Sequence, residues 1–344
     1  MRLLLHLTVD CNQECDYCYQ GEVDRGAFPI MSLEIGRAAI DWAFGQASNH
    51  LAIIYTGGEP LLQSALLFDL AEYAREKAQE HRGTFVQSVN TNGQLLDDDM
   101  IDQMRAREMW CAFSIDGTPA VHDQHRRRKD NASSYATFTD TLPYLLDRLP
   151  GTLANMIIMP DTSARLVESV SHVYELGFRN IGAGPCLEAE WSEKEWSNLQ
   201  DAYINFFEWH LKTLCEDPLL SITGAIRMAI DGPKSKRCAM ANREFAISPA
   251  GDIYPCLYFV GDGNTDDYSM GNVCGEFDEE KAACISRTTL APKIQCEGCD
   301  LQTVCNAGCG CVNLRVMGTL DRVSPNICRH TKVLAEVAKV VNSH

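Results

Sequence analysis

Sixteen cysteines, unevenly distributed, constrain what this 344-residue chain can fold into. Three of them, Cys11, Cys15 and Cys18, are closely spaced, and ten lie between Cys238 and Cys328. Disulfide scaffolds are usually short and secreted, whereas this chain lacks an export signal and has 45% hydrophobic residues for an ordinary core. Clustered thiols in such a chain indicate metal or iron–sulfur ligation.

Charge and hydropathy exclude two further classes of partner. The formal net charge of −17 argues against nucleic acid, because nucleic-acid surfaces are usually basic. No apolar run reaches the ~18 residues that a membrane span requires. We therefore expect a cytoplasmic protein that binds neither nucleic acid nor membrane.

The first two-thirds of the chain alternate strand-like and helix-like segments, which predicts parallel βαβ units in an α/β fold. Such units close as a doubly wound sheet or a barrel. Six units, fewer than the eight of a complete barrel, favour a partial (β/α)6 barrel of the TIM type. The strand candidates are Leu3–Val9, Leu51–Thr56, Thr84–Asn90, Met109–Ile115, Leu153–Met159 and Asn180–Gly184.

Helical patterns lie between these strands and continue after the last one. Ser32 and Asp97 occupy expected N-cap positions, and Gly177 an expected C-cap position. The predicted helices are Ser32–Ala47, Leu62–Gln79, Asp97–Arg107, Ser134–Leu149, Ser163–Leu176, Ser192–Cys215 and His330–Val341.

Unusual sequences follow the first four predicted strands. The closely spaced cysteines follow the first, Gly57–Pro60 the second and Thr91–Gly93 the third, while Ser114–Gly117 closes the fourth. Ligands of parallel α/β folds gather at the carboxyl ends of the strands. We therefore expect these segments to form one functional site.

The composition and the periodicity of the chain change near residue 235. Beyond it, short turns rich in Gly, Asp and Cys replace the periodic helices. A segment with ten cysteines and few apolar runs is too poor in core residues to fold without metal centres. We predict a barrel over residues 1–235 and a metal-held domain over residues 236–344.

The spacing of Cys11, Cys15 and Cys18 suits an iron–sulfur cluster. Three thiolates can hold three corners of a [4Fe–4S] cubane and leave one iron open to a small molecule. The alternative is a zinc site that borrows a fourth ligand such as His6.

This CxxxCxxC spacing, with Tyr17 before the third cysteine, resembles the radical S-adenosylmethionine (radical SAM) superfamily. The resemblance implies an enzyme whose cluster chelates S-adenosylmethionine and cleaves it reductively to a 5′-deoxyadenosyl radical. The protein's task is then to exclude water and aim that radical.

Further residues resemble the superfamily's cofactor contacts. Gly58 and Glu59 belong to a Gly-Gly-Glu-Pro turn that would receive the methionine ammonium, with the carboxylate offsetting its charge. Ser114 resembles a ribose ligand, Arg126 the arginine at the cofactor's polar end, and Leu187 a contact to adenine.

The later cysteines resemble the SPASM extension of that superfamily, which implies two auxiliary [4Fe–4S] clusters and three clusters in all. Structural zinc is the chemical alternative, since CxxC pairs suit zinc equally well. The resemblance assigns the second auxiliary cluster to Cys296, Cys299, Cys305 and Cys328, and the first to Cys238, Cys256 and Cys309.

The first auxiliary cluster is one ligand short in this assignment. Some relatives place a fourth cysteine shortly after the first, but residues 239–247 contain none here. Cys274, Cys284 and Cys311 are unassigned and are candidates to complete the cluster. Cys111 and Cys215 are interpreted as buried apolar thiols.

The family contains several reactions on peptides and proteins. Sulfatase-maturing enzymes oxidise Cys or Ser to formylglycine, and an aspartate is the proposed base in that reaction. This chain has Leu257 at the equivalent position, and a leucine cannot accept a proton. We therefore predict a maturase of a ribosomally made peptide that installs a cysteine thioether. Formylglycine formation, carbon–carbon crosslinking and cofactor biosynthesis are the alternatives.

The expected partners follow from that interpretation. They are a precursor peptide and an electron donor such as flavodoxin or ferredoxin. Because only ten residues precede Cys11, we expect a leader to be bound elsewhere or by a separate leader-binding protein. A non-enzymatic electron carrier or zinc-dependent scaffold is the alternative of another class, and it predicts no affinity for S-adenosylmethionine.

Overall fold

The computed structural model describes residues 1–20, 28–47, 49–234, 238–261, 267–305 and 309–342. Its strands are β1 Arg2–His6, β2 Gln13–Cys15, β3 His50–Thr56, β4 Thr84–Thr91, β5 Met109–Ser114, β6 Arg126–Arg128, β7 Leu153–Ile158, β8 Asn180–Pro185, β9 Ser221–Thr223, β10 Glu244–Ile247 and β11 Ile253–Tyr254. Its α-helices are α1 Leu33–Gln46, α2 Ser64–Ala78, α3 Asp98–Ala106, α4 Pro119–His125, α5 Leu142–Arg148, α6 Leu166–Glu175, α7 Glu193–Glu216, α8 Gly224–Asp231, α9 Glu279–Leu290, α10 Gly310–Met317 and α11 Pro325–Val341.

The chain divides into two compact units. The first comprises Met1–Phe113, Arg126–Pro150 and Ala239–Arg287, and the second Ser114–His125, Gly151–Cys238 and Thr288–His344. The domain boundary predicted at residues 235 and 236 lies outside the described residues and stays a prediction.

The first unit is built on strands in the order β11-β10-β1-β3-β4-β5. All neighbours are parallel except β10 and β11. β1 lies between β3 and β10, with Leu3 opposite both Ile53 and Phe245. An apolar run such as Leu3–Leu5 suits this central position, because a parallel strand is covered on both faces.

The second unit contains the parallel strands β7, β8 and β9 in that order. Its longest helix, α7, buries Trp196, Tyr203 and Phe206 on one side. The largely parallel sheet of both units confirms the predicted α/β fold. In the described part of the chain, no helix has the length and apolar character needed to cross a membrane.

Three helices, α1, α3 and α7, start where the sequence predicts them. The Ser32 side chain accepts a hydrogen bond from the Ile35 amide, and that of Asp97 from the Met100 amide. Ser192 forms a capping box at the start of α7. Each cap satisfies an amide that has no partner within its own helix.

Two predicted helices are interrupted, and their predicted extents are wrong. In place of a single helix over 134–149, a 3-10 turn at Tyr135–Thr137 precedes α5, whose first turn contains Pro143. Proline fits a first turn but not a helix interior, because it lacks an amide hydrogen. Likewise, a 3-10 segment at Pro160–Arg165 precedes α6.

The region beyond residue 235 is more regular than its composition indicates. It contains two strands, β10 and β11, that extend the sheet of the first unit, and two helices, α9 and α10, that the sequence analysis missed. The last helix, α11, starts at Pro325 rather than His330, so that it includes Cys328.

Candidate active site

A two-stranded ribbon holds the cysteine loop of the first unit. β2 pairs antiparallel with β6, which places Cys15 opposite Arg126, and the Cys18 amide donates to the Cys15 carbonyl at 3.0 Å. The Arg126 guanidinium lies over the Tyr17 ring, 5.3 Å from its centroid. The structure thus brings together the predicted residues Cys15, Tyr17 and Arg126.

The Gly-Gly-Glu-Pro turn lies directly against the segment that leads into the cysteine loop. The Gly58 amide donates to the Thr8 carbonyl at 2.9 Å, and the Glu59 amide to the Asp10 carbonyl at 2.8 Å. A Cβ at Gly58 would lie 2.1 Å from the Asp10 oxygen, and one at Gly57 2.2 Å from the Thr8 oxygen. These glycines therefore permit a backbone-to-backbone approach, and the contact of Gly58 with a cofactor stays a prediction.

Glu59 is buried, with 1% of its surface exposed. Oε1 accepts from the Leu61 amide at 3.0 Å and the Thr91 hydroxyl at 2.8 Å, and Oε2 accepts from the Asn92 amide at 2.8 Å. Burial raises the pKa of Glu59 to about 7, although the three hydrogen bonds oppose this rise. The carboxyl group therefore holds the turn against the end of β4, and its contact with an ammonium stays a prediction.

Tyr19 is a residue of the first unit that lies within electrostatic reach of the cysteine loop and of Cys256. Burial raises the Tyr19 pKa, and the charges of Cys18, Cys256 and Cys11 raise it further, which shows that all three sulfurs lie within electrostatic reach. The Tyr19 ring also packs on that of Tyr258, with centroids 4.9 Å apart. No sequence signal singled out this aromatic pair, because the two tyrosines meet only in the folded unit.

Ser114 ends β5, and Ser114–Gly117 forms a sharp turn in the second unit. The Asp116 carboxylate accepts a hydrogen bond from the Ile157 amide at 2.9 Å. Gly117 has a φ of 133°, and a Cβ there would lie 2.3 Å from the Ser169 hydroxyl oxygen. Ser114 is thereby held at a strand end, as expected for a ligand-binding serine, and its ribose contact stays a prediction.

The loop that carries Leu187 is fastened to the last helix of the second unit. The Asn326 side-chain amide donates to the carbonyls of Leu187 and Ala189 at 3.0 and 2.9 Å. The Arg315 guanidinium pairs with the Glu188 carboxylate at 2.9 Å. Asn326 belongs to α11, which also carries Cys328, so the helix that holds the Leu187 loop also carries a predicted cluster ligand.

Replacement of Asn326 with Ala is expected to loosen this loop. Two hydrogen bonds are lost, which corresponds to about 1–2 kcal/mol in the free energy of unfolding. Asn326→Asp should destabilise more, because its carboxylate oxygens would face two carbonyl oxygens. Hydrogen exchange of residues 186–191 measures the effect, and Glu336→Ala, an exposed change on the same helix, is the control. Equal protection in all three variants would contradict the assigned role.

Four predicted ligands assemble in the second unit. Burial raises the pKa of Cys296 and of Cys328, and the charges of the other thiolates in the group raise both further. Cys305 and Cys299 contribute to both shifts. The other three members of the set predicted for the second auxiliary cluster therefore lie within electrostatic reach of Cys328.

A buried lysine that the sequence analysis missed lies beside this set. Lys293 is 4% exposed, and its ammonium donates to the carbonyls of Thr288 and Leu320 at 2.7 and 3.0 Å. Burial lowers its pKa, whereas the charges of Asp321 and Cys296 raise it. A lysine three residues before a CxxC pair looks like an ordinary surface residue in sequence.

The remaining cysteines belong to both units. Cys256 lies in the first unit, whereas Cys238 and Cys309 lie in the second. Cys309 Sγ is 3.7 Å from the buried Cys311 Sγ. Cys274 and Cys284 are exposed, Cys111 is buried as expected, and Cys215 is exposed, so the interpretation of Cys215 as a buried thiol is wrong.

A cavity of about 200 Å³ adjoins Cys309 in the second unit. Leu187, Lys234 and His330 contribute to its lining. His330 is buried, which lowers its pKa to about 4, and it forms a hydrogen bond of 3.0 Å with the Tyr203 hydroxyl. The imidazole is therefore neutral and fixed in orientation.

The donor chemistry of both cysteine sets fits iron–sulfur clusters, for which thiolates are the usual ligands. Within the described ranges, no three His, Cys, Asp or Glu side chains are grouped closely enough to hold a single metal ion. A cubane does not require such a grouping, because each thiolate binds a different iron.

These features define an α/β enzyme that carries thiol ligands at the carboxyl end of its first parallel strand. The family profile of the radical SAM superfamily matches residues 5–173. The chain therefore carries a radical SAM domain, which implies a [4Fe–4S] cluster and S-adenosylmethionine.

Related proteins extend over most of the chain. A cysteine-type anaerobic sulfatase-maturating enzyme of Clostridium novyi (strain NT) is 21% identical over 323 residues, covering 87% of this chain and 85% of its own.

Two solved structures have the same fold. The structure of anSMEcpe with bound AdoMet and Kp18Cys peptide superposes with a TM-score of 0.80 at 18% identity, covering 100% of this chain and 99% of its own. Streptococcus suis SuiB bound to its precursor peptide SuiA gives a TM-score of 0.64 at 15% identity, covering 95% and 75%. The radical SAM fold predicted from the sequence is confirmed.

Proposed function

We propose that this enzyme abstracts a hydrogen atom from a ribosomally made peptide and joins a cysteine sulfur of that peptide to the resulting carbon radical. The observation that carries the proposal is Leu257, half-buried directly after Cys256 at the start of a 3-10 turn. The resembled sulfatase-maturing enzymes have an aspartate there, and a leucine cannot take a proton from the substrate.

A peptide substrate is supported by the related proteins. One matched structure contains a peptide named Kp18Cys, and the other a precursor peptide. Both structures match nearly all of this chain. The fold therefore favours a peptide as the substrate. A precursor peptide is accordingly the proposed partner, with an external electron donor and a separate leader-binding protein as further proposed partners.

The proposed cofactors are S-adenosylmethionine and three [4Fe–4S] clusters. When bound, the cofactor and the cluster of Cys11, Cys15 and Cys18 supply the 5′-deoxyadenosyl radical. Cys296, Cys299, Cys305 and Cys328 are the proposed ligands of one auxiliary cluster, and Cys238, Cys256 and Cys309 those of the other. Residues 1–235 and 236–344 are the proposed barrel and SPASM domains.

The segment after Cys238 supports an incomplete ligand set. Residues 239–247 contain no thiol. The Ala239 carbonyl accepts hydrogen bonds from the amides of Asn242, Arg243 and Glu244 at 3.1, 2.9 and 2.9 Å. The segment is therefore closed on itself as a turn that leads into β10, and a substrate thiol can supply the missing ligand. Metal coordination removes the thiol proton without a carboxylate base.

The balance of the proposed reaction is simple. The substrate loses a hydrogen atom from carbon to the deoxyadenosyl radical and a proton from sulfur, and one electron leaves as the C–S bond forms. An auxiliary cluster is the proposed acceptor of that electron. The product is thus lighter than the substrate by two hydrogens.

Mass spectrometry of the native peptide partner after turnover tests this function. A loss of two hydrogens with a sulfur that resists iodoacetamide supports the thioether. A product aldehyde that reacts with hydrazide establishes formylglycine formation instead, and a loss of two hydrogens with an alkylatable thiol indicates a carbon–carbon link.

One variant pair separates a substrate thiol from a resident one. Cys311 Sγ lies 3.7 Å from Cys309 Sγ. If Cys311 is the fourth ligand, Cys311→Ser should lower the iron content, whereas exposed Cys274→Ser should not. Unchanged iron in both variants is the result that the proposed open site predicts.

A further inference from the structure

We propose that Asn92 is a positioning residue for the radical SAM cluster, whose side-chain amide holds the Cys11 sulfur and sets the reduction potential of the cluster. Asn92 follows β4 and is 6% exposed. Its Nδ2 lies 3.7 Å from Cys11 Sγ, within range of an N–H···S hydrogen bond, and 2.7 Å from Asn12 Oδ1. The sequence predicts that Thr91–Gly93 lies near the site, because this segment follows a strand. No sequence motif gives Asn92 a role there.

The orientation of this amide is fixed by a backbone donor. Asn92 Oδ1 accepts from the Gln94 amide at 3.0 Å. A backbone N–H can only donate, so the atom facing Gln94 must be the oxygen, and Nδ2 must face Cys11. Asn12 also donates to the Gln94 side-chain oxygen at 3.2 Å, which makes its own Oδ1 available to Asn92. The network admits one assignment.

Asn92 is also anchored through its backbone. Its amide donates to Glu59 Oε2 at 2.8 Å, and Glu59 Oε1 accepts from the Thr91 hydroxyl. The Gly-Gly-Glu-Pro turn therefore fixes the residue whose side chain reaches Cys11. These two buried hydrogen bonds hold Thr91 and Asn92 against the turn in one geometry.

The expected effect is on the stability of the reduced cluster. Cys11 Sγ also accepts from the Gln13 amide at 3.4 Å, so two N–H groups point at one ligand sulfur. Such groups stabilise negative charge on sulfur, and hydrogen bonds to the sulfurs are among the factors that set the potential of an iron–sulfur cluster. Because reduction adds a negative charge, the Asn92 amide should raise the potential.

Two substitutions separate this role from a merely structural one. Asn92→Ser retains an oxygen that can accept from the Gln94 amide but is too short to reach Cys11. Asn92→Asp keeps the shape and replaces the donor with an acceptor. Asn49→Asp adds the same charge at an exposed position beside the amino end of β3, about 20 Å of strand from its carboxyl end, and is the control.

The measurement is an anaerobic reductive titration of the reconstituted full chain, followed by electron paramagnetic resonance. The signal that changes when S-adenosylmethionine is added belongs to the cluster in question. In Asn92→Ser the equilibrium constant for reduction of this cluster should fall about tenfold. For one electron this corresponds to a shift of the reduction potential by about 59 mV to lower values. Asn92→Asp should shift it at least as far in the same direction, and Asn49→Asp should leave it unchanged.

Three results would overturn the proposal. One is an unchanged potential in both Asn92 variants with the iron content retained. Another is an equal shift in Asn49→Asp, because that would show a general charge effect. The third is loss of this cluster in both Asn92 variants, because Asn92 would then be needed for folding of the loop rather than for tuning.

Discussion

Replacement of Cys11, Cys15 and Cys18 together with Ala should abolish reductive cleavage of S-adenosylmethionine. The three thiols lie in a loop that the β2–β6 ribbon fastens, and no cluster can form there without them. With the proposed three clusters per chain, the variant should also lose about a third of its iron after anaerobic reconstitution. Assays of 5′-deoxyadenosine and of iron check both expectations.

The control for this variant is Cys215→Ala. Cys215 is exposed and has no assigned role, so its replacement should change neither iron content nor cleavage. A triple variant that still produced 5′-deoxyadenosine would place the radical-generating cluster elsewhere in the chain.

Glu59→Gln should change how the stability of the cofactor-free protein depends on pH. Burial raises the pKa of Glu59 from 4.5 to about 7. Between these values the unfolded chain is ionised and the folded protein is still protonated, so stability falls as pH rises from about 4.5 to about 7. At about 1.4 kcal/mol for each pH unit, the loss is roughly 3 kcal/mol. Because glutamine does not ionise, Glu59→Gln should remove this pH-dependent loss of stability.

The substitution also has a cost at every pH. The glutamine has one acceptor oxygen where the carboxylate uses two, so the Leu61 or Asn92 amide must face an NH2 group. An unsatisfied buried amide costs about 1–3 kcal/mol. Near pH 5, Glu59→Gln should therefore be less stable than the parent protein. Above pH 7 this difference should disappear, because the parent protein has by then lost roughly 3 kcal/mol through ionisation of Glu59.

Denaturant unfolding at pH 5, 6, 7 and 8 compares the two proteins, with exposed Glu80→Gln as the control. Parallel pH profiles for all three proteins would show that the carboxylate ionises as easily in the folded state as in the unfolded chain. If Glu59 also contacts the methionine ammonium, Glu59→Gln should weaken S-adenosylmethionine binding by roughly 1.5–3 kcal/mol, the range for a hydrogen bond to a charged group.

Local signals predicted the elements best. The N-caps Ser32, Asp97 and Ser192 lie at helix starts because a cap depends on neighbours within one turn. The start of α11 had a comparable signal in Ser324 followed by Pro325, typical of a cap and a first helical residue.

Contacts between distant segments could not be predicted from the sequence. β2 and β6 are short and polar, and they are separated by more than a hundred residues. Glu59 shows the same limit at one residue. Its motif predicted a carboxylate at the site, but not that its oxygens face Leu61, Thr91 and Asn92, because these partners are brought together by strand register.

The pairing of β2 with β6 and of β1 with β10 also has a consequence for biosynthesis. The cysteine loop leaves the ribosome long before Arg126–Arg128, which holds it. At ~5–20 residues per second the interval is roughly 5–20 s. The central strand β1 lacks its partner β10 for longer still, until Glu244–Ile247 is synthesised. We therefore expect iron and sulfide to be delivered to the completed chain and not to the nascent one.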